Sequence, residues 1–228
     1  MTWPRAILFD LDGTLAHTAP DIADTLNILL DQEGIEPFEI DAVTQMIGGG
    51  VSLLLERALA ARNLPRDKDR IADLFDRYVE LYVPRAAQKT RLFPGVREVL
   101  DHHHQNDVKL GVCTNKPEGV SRSILEELDV LHLFGAVVGG DTLPVKKPDP
   151  APLLAALEQL GCAPDHGLMI GDSAADADAA KAAGVCVILV TFGYTRTPVN
   201  ELENHGLIDH FSEMHSVVSQ LSERRTSS

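Results

Sequence analysis

Five short apolar runs constrain this chain more than any other feature: "AILFDL" (6–11), "VKLGVCT" (108–114), "AVVGG" (136–140), "GLMIGD" (167–172) and "VCVILVT" (185–191). A strand with one wet face alternates apolar and polar residues. These runs are continuous, which predicts strands covered on both faces, as in a parallel sheet. Segments with helical spacing lie between them: "VREVLDHHH", "EGVSRSILEEL", "PAPLLAALEQL" and "AADADAAKAAG", with Gly161 and Gly184 where helix stops belong. Strands alternating with helices, joined by right-handed crossovers, predict an α/β fold with a doubly wound, mainly parallel, Rossmann-like sheet between two helical layers.

One interval breaks the alternation. Residues 16–87 hold no strand candidate but several helical faces: Ile22, Leu26, Leu29 and Leu30, then "VSLLLERALAA" after "IGGG", then Ile71, Leu74, Phe75, Tyr78 and Tyr82. This predicts a small α-helical domain (16–87) inserted into a sheet domain made of 1–15 and 88–228. The linker "PRAAQKTRLFPGV" returns the chain to the sheet, so the chain passes twice between the two parts, and both passages can act as hinges. No internal repeat is present, and the terminal "ERRTSS" is expected to fray.

Composition narrows the function classes. A 228-residue chain that is 44% hydrophobic suits a globular protein with a proper core. Its net charge of −14 argues against nucleic acid as a partner, because such binders neutralise phosphates with Lys and Arg. The three cysteines, Cys113, Cys162 and Cys186, form no CxxC pair and read as reduced thiols, Cys113 and Cys186 as small buried hydrophobes. No signal-peptide pattern and no apolar run of ~18 residues is present. A cytoplasmic protein without a membrane partner is expected.

The ends of the predicted strands carry the chemistry, as open α/β sheets require. The first ends in Asp10 and Asp12, two carboxylates set against a core where an unpaired charge costs several kcal/mol. The second ends in Thr114-Asn115, "DTLPVKKPDP" with Lys146 and Lys147 follows the third, and the fourth ends in Asp172, with Asp176 beyond it. Acids, a hydroxyl–amide pair and a lysine on one edge are the parts of a phosphoryl-transfer site. On an extended strand Asp10 and Asp12 face the same side, roughly 6–7 Å apart.

"FDLDGT", "CTN", "KKPDP" and "GDSAAD", in that order along nearly the whole chain, resemble the four motifs of the haloacid dehalogenase superfamily of phosphotransferases. The resemblance makes the helical insertion a cap domain, Asp10 the nucleophile that forms an aspartyl-phosphate, and Asp12 the general acid and base, with a backbone carbonyl for metal. Two acids and a phosphate dianion repel one another. A hard divalent cation, Mg²⁺, resolves this, with Asp172 as a further ligand and Asp176 binding directly or through water. Thr114 and the Asn115 backbone would donate to the phosphoryl oxygens. The motif's lysine precedes proline, which favours Lys147 over Lys146. Ala175 stands where relatives often carry Asn.

Within the superfamily, "IGGGVSLLLERAL", "LFPGV" and "GGDTLPVKKPDPAPLL" resemble the phosphoglycolate phosphatase group. That implies a small phosphorylated metabolite as partner, with the amides of Gly48, Gly49 and Gly50 and the Arg57 side chain taking its carboxylate, in a monomer or homodimer. A β-phosphoglucomutase-like mutase or another sugar-phosphate phosphatase shares the same core. A receiver-type phospho-acceptor domain explains neither Asp12 nor the insertion. His102, His103 and His104 point about 100° apart on a helix; they cannot chelate one ion together and read as a solvated helix end. Asp178 reads as a solvent-facing helix residue.

Overall fold

The computed structural model describes residues 3–226. Strand β1 (Ala6–Phe9) leads through a turn to β2 (Ala16–His17), followed by α1 (Ala19–Gln32), α2 (Ile40–Thr44), α3 (Val51–Ala61) and α4 (Lys68–Tyr82). The chain returns through β3 (Arg91–Leu92) and then alternates: α5 (Val96–Gln105), β4 (Lys109–Cys113), α6 (Glu118–Glu127), β5 (Phe134–Val138) and α7 (Ala151–Gln159). After these come β6 (Gly167–Gly171), α8 (Ala174–Ala183), β7 (Cys186–Val190), β8 (Gly206–Ile208) and α9 (Met214–Thr226).

Six strands form one parallel sheet in the order β5-β4-β1-β6-β7-β8, with β1 inside it: Ile7 is in register with Leu110 on one side and Leu168 on the other. Successive side chains of β1 leave on opposite faces. Ile7 and Phe9 pack with Leu100, Ile124 and Met214 of α5, α6 and α9, whereas Ala6 and Leu8 pack with Leu153, Leu157 and Ala180 of α7 and α8. That is why the runs need no alternation; each face meets a helical layer. Helix α1 packs on α4, and Leu26, Leu29, Leu74 and Tyr78 continue the first of these cores.

Several expectations change. Residues 16–87 are not free of strand, because Ala16–His17 pairs antiparallel with Arg91–Leu92, tying the two passages of the chain together. The sixth strand, β8, is only three residues long and begins with Gly206, too short to register as an apolar run. Strand β5 lies at 134–138 rather than 136–140: its last pair is Val138 with Cys113, and Gly139 and Gly140 lie beyond it, where a Cβ would meet the backbone of Glu118 and Asn115. Strand β1 stops at Phe9, so Asp10 and Asp12 sit in the turn beyond it rather than on a strand. Helix α9 continues to Thr226; of the segment expected to fray, Ser227 and Ser228 lie outside the described residues. His103 is buried, unlike its two histidine neighbours, and Cys186 is only half-buried. Asp178 is exposed, as expected. Among the described residues, no helix is long and apolar enough to cross a membrane.

Candidate active site

The turn after β1 is built around close approach. The Asp10 amide donates to the Ile170 carbonyl at 2.9 Å, which docks the turn on β6, and the Leu11 amide donates to Asp10 Oδ1 at 2.8 Å. Gly13 has φ +83°, and a Cβ there would lie 2.5 Å from Asp172 Oδ2. Glycine is therefore required both by the backbone and by the neighbouring acid.

Asp172, at the end of β6, is 3% exposed and held by the Tyr194 amide, which donates to its Oδ2 at 2.6 Å. Asp176 caps α8: its Oδ2 accepts from Ser173 Oγ at 2.7 Å and the Ser173 amide at 3.1 Å. Its Oδ1 meets Lys147 Nζ at 2.6 Å, and the same ammonium stands 3.2 Å from Asp10 Oδ1 and donates to the Cys113 carbonyl at 2.6 Å.

Carboxylate oxygens of Asp10, Asp172 and Asp176 lie within 4.8 Å of one another. Burial, opposed by Lys147 and reinforced by Asp176 and Asp12, pushes Asp10 up to about 6. Burial, with Asp176 and Asp10, pushes Asp172 well above the usual carboxylate range. Burial also works against the Lys147 charge, but Asp10 and Asp176 outweigh it and hold the ammonium above the ordinary lysine range. One ammonium faces three buried acids, and the all-oxygen donor set, drawn from two strand ends and a helix start, fits a hard divalent cation. Cys113 is not a competing nucleophile, because burial pushes its thiol up to about 12.

Asp12 is not among these three side chains. Its carboxylate is paired with Lys116, Nζ at 2.9 and 3.0 Å from the two oxygens. Thr114 is buried, its amide on the Val138 carbonyl at 3.0 Å and its Oγ1 accepting from the Lys116 amide at 3.3 Å. Asn115 Nδ2 donates to the Lys147 carbonyl at 2.9 Å, while its buried Oδ1 has no partner.

The two adjacent lysines part company. Lys147 goes into the acidic cluster, whereas Lys146 Nζ donates to the Gly49 carbonyl at 2.8 Å. Lys146 thus joins the glycine turn before α3 to the sheet side. Arg57 turns toward the same loop: its Nη1 donates to the carbonyls of Met46, Ile47 and Gly48 at 2.8, 3.2 and 3.0 Å. It braces the turn from within α3. A cavity of about 390 Å³ lies between these parts, with Asp10, Asp12 and Asp172 on one side and Gly48, Gly50 and Arg57 on the other.

The profile of the haloacid dehalogenase-like hydrolase family matches residues 7–190. The chain belongs to that family. A phosphoglycolate phosphatase of Cereibacter sphaeroides is 44% identical over 215 residues, covering 94% of this chain and 98% of the relative. One of Rhodospirillum rubrum is 43% identical over 215 residues, covering 92% and 89%. The crystal structure of a predicted phosphoglycolate phosphatase from Haemophilus somnus superposes with a TM-score of 0.88 at 31% identity, covering 95% of this chain and 99% of that one. This haloacid dehalogenase-like hydrolase is accordingly a phosphoric monoester hydrolase, and a receiver-type signalling domain is set aside.

Lys116, Tyr194 and Arg196 also line the cavity of this hydrolase, and sequence reasoning missed all three. The signal for Lys116 was its place directly after Thr114-Asn115. Tyr194 acts on Asp172 through a backbone amide, which no residue type announces.

Proposed function

We propose that this hydrolase is a Mg²⁺-dependent phosphatase that converts 2-phosphoglycolate to glycolate and phosphate through an aspartyl-phosphate on Asp10, with residues 16–87 acting as its cap. The observation that carries the reading is the meeting of Asp10, Asp172 and Asp176 around Lys147 at one wall of a cavity. The names of the relatives point to the substrate. Mg²⁺ held by Asp10, Asp172 and Asp176 would neutralise charge as phosphate enters.

Asp10 Oδ1 is occupied by the Leu11 amide and Lys147, so Oδ2 is the oxygen left to attack phosphorus. As the Oδ2–P bond forms and the ester P–O bond breaks, Asp12, having taken a proton from solvent, gives it to the leaving glycolate oxygen. Asp12 then takes a proton from water; the water oxygen attacks phosphorus and the Oδ2–P bond breaks, restoring Asp10. Lys147 and Thr114 face the transferring group, Asn115 fixes the Lys147 backbone, and the 48–50 turn with Arg57 closes the far side and excludes bulk water. Its three free thiols suit a cytoplasmic setting.

The test is phosphate release from a panel of metabolites in Mg²⁺. The kcat/KM for 2-phosphoglycolate should exceed that for hexose and pentose phosphates at least tenfold. Equal turnover across the panel overturns the substrate assignment; no turnover of any phosphomonoester overturns the chemistry.

A further inference from the structure

Four basic side chains line the cavity: Arg57, Lys116, Lys147 and Arg196. Three are committed. Lys147 neutralises Asp10 and Asp176, Lys116 pairs with Asp12, and Arg57 spends Nη1 on the carbonyls of the glycine turn. Arg196 is the fourth and, among the described residues, has neither a hydrogen bond nor an ion pair.

We infer that Arg196 recognises the substrate's second anionic group, a carboxylate close to the phosphoester, and so sets specificity for phosphorylated small acids. The inference rests on the phosphatase reading above and names the residue that selects its substrate.

The loop that carries Arg196 is built rather than loose. On one side Tyr194 is buried; its amide is on Asp172 and its hydroxyl accepts from the Ala19 amide at 3.1 Å. On the other side Val199 is buried, and between them Thr195 Oγ1 donates to the Thr197 carbonyl at 2.6 Å, closing a turn with Arg196 at its tip. Two residues of chain span at most about 7 Å, so the Arg196 backbone is tethered close to the acid that anchors Tyr194. Its charge also reaches Arg57, whose ionisation is disfavoured first by burial and then by Arg196. The two guanidinium groups line the same cavity and repel one another until an anion enters. A carboxylate two bonds from the ester oxygen places that anion beside a phosphoryl group at Asp10. A planar guanidinium suits the planar carboxylate, taking it through two parallel hydrogen bonds.

The experiment compares kcat/KM for 2-phosphoglycolate and for 2-hydroxyethyl phosphate, the same ester with an alcohol in place of the acid. The wild type should prefer the acid, and Arg196→Gln should shrink that preference about 10–100-fold, the worth of one charged hydrogen bond, chiefly through KM. Arg196→Lys should restore part of it. Arg196 is exposed, so the variants should fold. If the wild type prefers the acid and Arg196→Gln keeps that preference, the inference is overturned while the substrate assignment stands. If the wild type prefers 3-phosphoglycerate to 2-phosphoglycolate but its acid-over-alcohol preference collapses in Arg196→Gln, Arg196 keeps its role and the substrate changes. A wild type indifferent to the acid removes both.

Discussion

Lys116 grips Asp12 with its ammonium 2.9 and 3.0 Å from the two carboxylate oxygens, and the same ammonium lies 4.7 Å from the centre of the Tyr82 ring. One cation thus connects the turn after β1, the loop after β4 and the end of α4. The pair is largely withdrawn from water, with side chains 6% and 19% exposed, so removing one partner leaves a charge poorly solvated. Lys116→Met keeps the aliphatic stem and removes the charge. It should lower kcat about 10–100-fold, since Asp12 then loses the contact that aims it. The Tyr82→Leu variant, which removes only the ring, should lower it less. Steady-state kinetics of both variants decide; unchanged kcat in Lys116→Met would show that the grip has no part in turnover.

The two aspartates of the turn should fail in different ways. Asp10→Asn removes the oxygen proposed to attack phosphorus and should abolish both turnover and covalent phosphorylation. Asp12→Asn should reduce turnover about 10²–10⁴-fold, but less in the first step with p-nitrophenyl phosphate, whose leaving group needs no proton. The second step still lacks its base, so phosphoenzyme should accumulate on Asp10. Intact-protein mass spectrometry after rapid quenching would reveal one added phosphoryl group in Asp12→Asn and none in Asp10→Asn. Label on any other residue contradicts the assignment.

Metal dependence follows from the crowding of carboxylates. Burial and two neighbouring acids leave Asp172 far above its usual range, and Lys147 is a single counter-charge. EDTA should abolish activity and excess Mg²⁺ restore it. Asp172→Asn should raise the Mg²⁺ concentration for half-maximal activity by about 10–100-fold, the scale on which groups around a metal tune its affinity. Titration of activity against free Mg²⁺ measures this. Full activity in chelator would exclude the metal reading.

The acids were legible because a carboxylate beside an apolar strand is expensive and stands out against it. Asp10, Asp12, Asp172 and Asp176 all line or support the cavity wall for that reason. Basic residues carry no such signal; a lysine or arginine in a loop is ordinarily solvated, so Lys116 and Arg196 were indistinguishable from surface charge. The resemblance makes Arg57 a carboxylate ligand beside the 48–50 amides, and the loop carbonyls it braces are invisible to residue type. Between the adjacent lysines only the motif's lysine-before-proline order favours Lys147, the one that enters the acidic cluster; residue type alone does not separate it from Lys146. Periodicity revealed five strands of the main sheet because each is a run of apolar residues. It missed β8 and the β2–β3 pair, where two or three residues leave no period to see.

The β2–β3 crossing is reinforced by Asp21, which is 2% exposed. Its carboxylate accepts from the Lys89 amide at 3.0 Å and from the amide and hydroxyl of Thr90, both at 2.8 Å. The start of α1 is thereby stapled to the returning strand. Asp21→Ala leaves two backbone amides short of partners and should destabilise the fold by about 2–4 kcal/mol. Urea unfolding should show a lower midpoint with an unchanged slope. A midpoint equal to the wild type's would mean water replaces the carboxylate without loss.

His103 supplies the pH dependence. It lies on α5 at 6% exposure, and burial, followed by the nearby His102 and His215, pushes its pKa down from 6.5 to about 4. The folded protein therefore keeps this imidazole neutral where the unfolded chain takes up a proton. Between pH 6.5 and 4 the unfolded state binds more protons, so stability falls as the solution is acidified through that window and is unaffected by His103 above it. The loss from pH 7 to pH 5 should be about 1–2 kcal/mol from this residue. His103→Leu cannot titrate and should lose that much less on the same change, while the exposed variant His104→Leu should behave as the wild type. Urea unfolding of the three proteins at both pH values measures the difference. Equal acid losses in wild type and His103→Leu would place the sensitivity elsewhere, in carboxylates that the native fold keeps charged.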